Sequence, residues 1–211
     1  PETTVIDDAL AGRLKQHLDA GGACVLACHP SPAYGHQHVL NMADLKLQSV
    51  ADASTFLHVG EALSQGISDY GHVIYESGLL ADQASDDTQV LATLGLPYFK
   101  RSYDRFSGHD YTPEQSETDH VAVAQRGSLI AFTFPLLENF GRYPQPMYRD
   151  LLANAIERVM PDPLVRCDGP SRLETTVVDT PAGRVVHLLS FSAERRAKDL
   201  DIVEDTLPLV D

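Results

Sequence analysis

The sequence predicts an α/β fold, a three-layer sandwich with a mostly parallel sheet, followed by a small antiparallel β appendage. Three observations favour this class. An amphipathic helix runs directly into a strand that is apolar throughout, a second continuous apolar strand follows near residue 130, and the pattern becomes purely β after Leu164. Strands that are apolar on both faces are typical of parallel sheets covered by helices on both sides.

The first helix begins at Asp7 or Asp8, since either carboxylate can cap a helix N-terminus. An apolar stripe with helical spacing follows. It is formed by Leu10, Leu14 and Leu18. Gly21-Gly22 ends the helix, and the apolar strand at residues 23–28 comes directly after it.

The middle of the chain alternates loops and strand candidates. Residues 29–41 form a loop rich in Pro, Gly and His, and residues 42–54 are predicted to hold a short helix. The strand candidates have the β-branched and apolar composition of strands. They lie at residues 55–59, 72–76 and 89–94, and in a hairpin at residues 121–124 and 129–134 that turns around Arg126-Gly127.

The pattern in the last part of the sequence indicates two domains. A helix at residues 146–160 ends at Pro161 and Pro163, which begin a linker. A second hairpin follows, with arms at residues 173–179 and 184–191. We therefore expect an α/β domain at residues 1–162 and a β-rich appendage at residues 163–211. Because the chain starts without Met and ends on a strand-like run, we expect both to be truncated pieces of a larger protein.

Composition limits the classes of partner. The net charge of −14 disfavours nucleic acid, because a phosphate backbone requires clustered Lys and Arg. No stretch reaches the roughly 20 apolar residues of a membrane span, and we expect no signal peptide within these residues. Three cysteines give no disulfide framework. We therefore expect a cytoplasmic protein that contacts neither nucleic acid nor membrane.

Cys28 stands at the end of the first strand, where a nucleophile could lie. A thiolate nucleophile needs a base within hydrogen-bond reach and donors for the oxyanion. Pro30 lacks an N–H group and restricts His29 to extended conformations, which opposes the tight turn that such a site requires. We favour a buried cysteine that packs as a small apolar side chain. Cys28 and His29 remain the alternative catalytic candidates.

Three histidines in one loop, His29, His36 and His38, offer an alternative metal site. Imidazoles with a carboxylate such as Asp44 could hold zinc or copper. No spacing signature of the H-E-x-x-H type is present, and solvated loop histidines are the simpler interpretation. We therefore predict no cofactor.

Residues 97–113 form a long loop rich in aromatic side chains. Loops of this length in a compact domain are usually functional or packed on a neighbour. Aromatic faces with a few charged groups are how proteins hold sugars and protein partners. The simpler alternative is that the rings pack against their own domain. The candidate binding residues are Tyr98, Phe99, Arg101, Tyr103, Arg105, Phe106, His109 and Tyr111.

Two segments resemble the class I glutamine amidotransferase-like fold. They are the Gly-Gly, strand, Cys28 segment and residues 132–138. In active members a late strand carries a His-Pro-x-Glu ending that supplies the base and its orienting carboxylate. Here Phe134 precedes Pro135 in place of that His, and Glu138 is one residue out of register. A phenyl ring cannot accept a proton, so the resemblance implies the fold without amidotransferase activity.

The chain more closely resembles the non-catalytic version of that fold, the β-galactosidase trimerisation domain of bacterial glycosidase-like proteins. Residues 97–113, 161–166 and 185–211 carry this likeness. It implies a flavodoxin-like sheet and a parent enzyme that acts on glycosidic bonds. The two catalytic carboxylates of that parent would lie upstream, outside these residues.

We therefore expect a non-catalytic assembly or accessory domain of a β-galactosidase-like glycoside hydrolase. Its partners would be its own catalytic domain or further copies of the chain, and possible carbohydrate. Two alternatives stay open. One is a Cys- or metal-dependent hydrolase that uses Cys28 with a nearby His, and the other is a carbohydrate-binding module that uses the aromatic loop.

Overall fold

The computed structural model describes residues 4–167, 169 and 173–190. The helices are α1 (Asp8–Asp19), α2 (His36–Met42), α3 (Leu136–Arg142) and α4 (Pro146–Val159), with short 3-10 turns at Pro32–Tyr34 and Glu61–Leu63. The strands are β1 (Cys24–Ala27), β2 (Leu45–Val50), β3 (Thr55–Val59), β4 (His72–Ile74), β5 (Leu79–Gln83), β6 (Gln89–Pro97), β7 (Glu114–Arg126), β8 (Leu129–Phe132), β9 (Leu173–Thr180) and β10 (Gly183–Ser190).

Six strands form a mixed, curled sheet in the order β1-β8-β7-β6-β3-β4. β1 and β8 pair in parallel, whereas every other neighbouring pair in this sheet is antiparallel. The prediction of a flavodoxin-like three-layer sandwich with a mostly parallel sheet is therefore wrong. The connections explain the error, because the tight turn Gly127-Ser128 joins β7 directly to β8. Parallel neighbours need a crossover of about a dozen residues or more.

The apolar run of β8 indicates burial on both faces and not the direction of pairing. Ile130 and Phe132 pack in one hydrophobic cluster with α4, and Leu129 and Ala131 pack in a second cluster with α2 and β5. A central strand of a mostly antiparallel sheet therefore carries the same pattern as a parallel strand. Because the amidotransferase-like resemblance implied the flavodoxin-like sheet, the fold gives the trimerisation-domain assignment no support.

The prediction of a helix at residues 42–54 is also wrong. α2 ends at Met42, and β2 follows and pairs antiparallel with β5 in a separate two-stranded sheet. Asp44 makes the change of direction possible, because its φ of 53° lies in the left-handed region. Its carbonyl accepts the Ala84 N–H at 3.1 Å, and its carboxylate accepts the Ser85 hydroxyl.

The hairpin near the end of the described residues is confirmed. β9 and β10 pair antiparallel from Thr180↔Gly183 to Leu173↔Ser190. The domain boundary between residues 162 and 163 stays a prediction, and residues 191–211 of the predicted appendage lie outside the described residues. In the part of the chain that the structure describes, no helix combines the length and the apolarity of a membrane span.

The buried side chain of Asn139 joins three segments of the chain. Its Oδ1 accepts the Glu76 N–H at 3.0 Å, and its Nδ2 donates to the carbonyls of Pro135 at 2.9 Å and Glu76 at 3.2 Å. The Tyr148 hydroxyl of α4 donates to the Val73 carbonyl at 3.0 Å and lies 3.4 Å from this Oδ1. The carbonyl of Asn139 accepts the Tyr143 N–H at 2.7 Å. One residue of α3 therefore fixes the segment after β4, the end of α3 and the start of α4.

We predict that Asn139→Ala lowers the free energy of unfolding by about 3 kcal/mol, because the peptide groups of Glu76 lose their partners in a buried position. The matched control is Asn41→Ala, whose amide accepts only the exposed Gln37 side chain. That substitution should change the free energy by less than about 0.5 kcal/mol. Urea unfolding measures both, and equal effects of the two substitutions would refute the role given to Asn139.

Candidate functional site

Cys28 is buried in the second hydrophobic cluster. It is 1% exposed, and burial raises the pKa of its thiol to about 12. Its backbone N–H donates to Phe132, and no hydrogen bond to its sulfur occurs among the described residues. The cavity beside it has a volume of about 90 Å³, below the roughly 300 Å³ at which small-molecule sites begin. This environment favours the packing interpretation of Cys28.

His29 has partners other than the Cys28 sulfur. Its Nδ1 accepts the Ser31 N–H at 3.0 Å, and its ring meets Tyr34 edge-on at 4.4 Å. Its Nε2 lies 3.7 Å from a carboxylate oxygen of Glu138. Phe134 is fully buried against Phe132 at a ring distance of 5.8 Å. As catalytic residues, Cys28 and His29 stay predictions.

The structure places the three loop histidines on separate partners. The Nδ1 of His36 lies 3.1 Å from the His29 carbonyl oxygen, whereas the Nε2 of His38 lies 3.6 Å from a carboxylate oxygen of Asp8. Within residues 4–167, 169 and 173–190, no group of three or more His, Cys, Asp or Glu side chains has an arrangement that could hold a metal ion. The carboxylate of Asp44 pairs with Ser85 instead.

The aromatic loop connects β6 to β7 and is closed at its base. The Tyr98 N–H donates to the Pro113 carbonyl at 3.1 Å, and the buried hydroxyl of Thr112 donates to the Phe99 carbonyl at 2.8 Å. Inside the loop, the Ser107 hydroxyl donates to the Tyr111 carbonyl at 2.8 Å. The loop is therefore an ordered extension of the β6–β7 hairpin.

The predicted binding residues of this loop divide into two groups. Tyr98, Tyr103 and Phe106 point outward, and each is at least 60% exposed. Two arginines accompany them. The Arg101 guanidinium lies 5.6 Å from the Phe106 ring centroid and 3.2 Å from Asp110, and Arg105 closes a backbone turn with Ser102. We call Tyr98, Tyr103 and Phe106 the loop tip.

Phe99 and Tyr111 are half-buried beneath the loop, and exposed His109 stacks on Tyr111 at 5.9 Å. Tyr111 also meets Phe56 of β3 at 6.1 Å and Tyr75 at 5.9 Å, both edge-on. A cluster of rings from three segments therefore lies under the loop.

Tyr75 and Tyr143, which do not belong to the aromatic loop, complete this ring cluster. Their rings stack at 4.3 Å with an interplanar angle of 20°. Burial raises the pKa of Tyr75, with smaller contributions from Tyr111, Asp110 and Tyr143, and burial also raises the pKa of Tyr143. Both hydroxyls therefore stay protonated near neutral pH. No sequence pattern links the two positions, because the pair depends on the Asn139 contacts to Glu76 and Tyr143.

Three cavities with shared lining residues lie beneath and beside the loop, and we call them together the loop groove. The first, of about 640 Å³, and the second, of about 260 Å³, share the walls Tyr75 and Tyr111. The second and the third, also of about 260 Å³, share five residues. These five are Asp52, Ala53, Pro97, Phe99 and Lys100.

The polar groups of the loop groove include paired ions and hydroxyls, together with the His72 imidazole and the Gln145 amide in the first cavity. Lys100 lies 3.8 Å from Asp52, and Arg101 lies 3.2 Å from Asp110. Thr55 lines the third cavity, is 1% exposed, and has a buried Oγ1 without a hydrogen-bond partner among the described residues. Aromatic walls with hydroxyls and charge-compensated side chains suit an uncharged, hydroxyl-rich ligand.

Comparison with solved structures gives an informative similarity. No protein-family model matches the chain, and no curated protein matches it. Among solved structures, the chain is similar to alpha-L-fucosidase isoenzyme 2 from Paenibacillus thiaminolyticus, with a TM-score of 0.77 and 18% sequence identity. The match covers 99% of this chain and 32% of that chain, so the chain spans about a third of its length. At this identity the similarity shows a shared fold.

We predict that Cys28 resists alkylation in the folded protein, because it is buried and its thiol is protonated. At mildly alkaline pH, Cys28 should react at least about 100-fold more slowly than exposed Cys167, and equally fast after unfolding. Mass spectrometry of iodoacetamide-labelled peptides measures the rates. A Cys28→Ser variant identifies the peptide, and labelling of Cys28 as fast as Cys167 would contradict the packing role.

Proposed function

We propose that this chain is a non-catalytic accessory domain of a larger glycoside hydrolase and that it makes subunit or interdomain contacts. The observation that carries the proposal is the fold shared with about a third of an α-L-fucosidase chain. A match that covers nearly all of one chain and a third of the other fits one domain within a longer enzyme.

The surroundings of the candidate catalytic groups support the proposal that this domain is non-catalytic. Glycoside hydrolysis generally requires two carboxyl groups that face each other across the scissile bond, one of them protonated. The carboxylates along the loop groove each lie beside a cation instead. They are Asp52 with Lys100, Asp110 with Arg101, and Asp150 with Arg149 at 2.8 Å. Each of these carboxylates is therefore engaged in an ion pair.

Two exposed apolar surfaces support the contact-making part. The loop tip presents three aromatic rings beside two arginines, a composition enriched at protein interfaces. In β10, Leu188 and Leu189 are 58% and 57% exposed although neighbouring strand residues point to opposite faces. The described part of the chain therefore leaves both faces of this hairpin uncovered. Apolar surfaces of this kind mark interaction sites.

We propose that the loop tip forms a contact between two copies of the chain. A Tyr103→Ser, Phe106→Ser double substitution should weaken self-association about 30-fold or more, because exposed aromatic anchors contribute about 2 kcal/mol or more when they are buried at an interface. Sedimentation equilibrium measures the association. The melting temperature should stay unchanged, since both side chains are exposed in the single chain.

The matched control is Leu164→Ser, which removes an exposed apolar side chain outside the loop tip. It should leave self-association unchanged. A strictly monomeric wild-type chain at high concentration would contradict the contact between copies. Hydrolysis of aryl glycosides by the purified chain, lost in Cys28→Ala, would contradict the non-catalytic part and favour the hydrolase alternative.

A further inference from the structure

We propose that the loop groove binds a neutral oligosaccharide. This inference goes beyond the accessory-domain proposal and depends on different residues, since the groove lies beneath the loop whereas the proposed contact between copies uses its outward tip. The geometry that points to it is a row of three cavities with aromatic side chains at their shared walls.

The shape of the groove indicates an extended ligand. The first cavity alone, at about 640 Å³, has the size of a small-molecule site. The second cavity shares Tyr75 and Tyr111 with it, and the third shares Phe99 with the second. A compact ligand would use one cavity. A chain of sugar rings can occupy adjoining cavities and place successive rings against the aromatic walls.

The aromatic walls are held in place before any ligand binds. Tyr111 contacts Phe56, Tyr75 and His109, and Tyr75 is stacked on Tyr143. Preorganised side chains lose little conformational freedom on binding, so a larger part of the contact energy appears as affinity. Rings of this kind pack well against the C–H face of a pyranose.

Thr55 supplies a hydrogen-bonding group that its own chain leaves unused. Its Oγ1 is buried at the third cavity without a partner among the described residues. A buried hydroxyl that stays unpaired is unfavourable, and a small displacement of the cavity wall would let a ligand hydroxyl pair with it as donor or as acceptor. Tyr75 lines the first two cavities, and its protonated hydroxyl offers a further donor.

The charges along the groove select an uncharged ligand. The cations Lys100 and Arg101 are each compensated by a carboxylate, and the whole chain carries a net charge of −14. An anionic ligand would meet no uncompensated cation from these pairs and a repulsive overall field. Acidic polysaccharides and phosphorylated ligands therefore fit less well than neutral sugars.

The experiment is isothermal titration calorimetry of the full chain. The probes are cellotetraose, xylotetraose, mannotetraose, galactotetraose and a fucosylated lactose, with the corresponding monosaccharides and a uronic-acid oligomer. At least one neutral oligosaccharide should bind about 10-fold or more tightly than its monosaccharide, because it occupies adjoining cavities. The uronic-acid oligomer should bind more weakly. No binding by any neutral probe, or equal binding of monosaccharide and oligosaccharide, would overturn the proposal.

Variants at two groove positions assign the site. Thr55→Val removes the unpaired hydroxyl and should weaken binding about 10-fold while the melting temperature stays the same or rises. Tyr111→Ala should weaken binding at least 10-fold, whereas Tyr111→Phe keeps the ring and should retain most of the affinity. Unchanged affinity in both Thr55→Val and Tyr111→Ala would overturn the assignment.

The matched control separates this proposal from the accessory-domain proposal. Tyr103→Ala at the loop tip should leave sugar binding unchanged, and Thr55→Val should leave self-association unchanged. Loss of sugar binding in Tyr103→Ala, with full binding in Thr55→Val, would move the sugar site to the tip and refute the groove. Failure of self-association alone would refute only the contact between copies.

Discussion

The hydrogen bonds of one buried amide determine the arrangement on which the candidate site depends. Asn139 holds the peptide of Glu76 with its side chain and the N–H of Tyr143 with its carbonyl. Tyr75 precedes Glu76, so these bonds place Tyr75 and Tyr143 in stacking distance. Tyr75 in turn contacts the Tyr111 ring and shares with it the walls of two cavities of the loop groove. A polar residue in the core therefore organises an aromatic surface outside it.

The two edges of the six-stranded sheet differ in the function that their surroundings allow. Around Cys28 the side chains are tightly packed, the thiol is protonated, and the cavity is small. Around Tyr75 and Tyr111 the cavities are larger, open to solvent, and lined by both aromatic and polar groups. Burial prevents the Cys28 thiol from acting as a nucleophile. The described lining of the loop groove offers side chains that can contact a ligand but no comparable reactive group. Binding therefore accounts for the arrangement better than turnover does.

Sequence patterns predict where several helices and strands form, but they say less about how these elements are arranged. The helix at Pro146–Val159, the strand at Leu129–Phe132 and the last hairpin form as the pattern predicts, because amphipathic spacing and turn residues act locally. Pairing direction is a tertiary property. The apolar pattern of β8 is the same for a parallel neighbour and an antiparallel one, so the sheet class was predicted wrongly.

The same limit applies to the site. Phe99, His109 and Tyr111 were selected because they lie in one aromatic segment of sequence. The partners that complete the groove were not selected. Phe56, Tyr75 and Tyr143 come from β3, the end of β4 and the end of α3, and only sheet pairing and the Asn139 contacts bring them together. The unpaired hydroxyl of Thr55 has no signal in sequence, because its lack of a partner depends on the surrounding packing.

The most direct test of the account is a crystal structure of the chain with a bound neutral oligosaccharide. The account predicts sugar rings against Tyr75 and Tyr111 and a ligand hydroxyl within hydrogen-bond distance of Thr55 Oγ1. Electron density for the sugar beside Cys28 or on the outward face of the loop, with only water in the loop groove, would contradict this assignment.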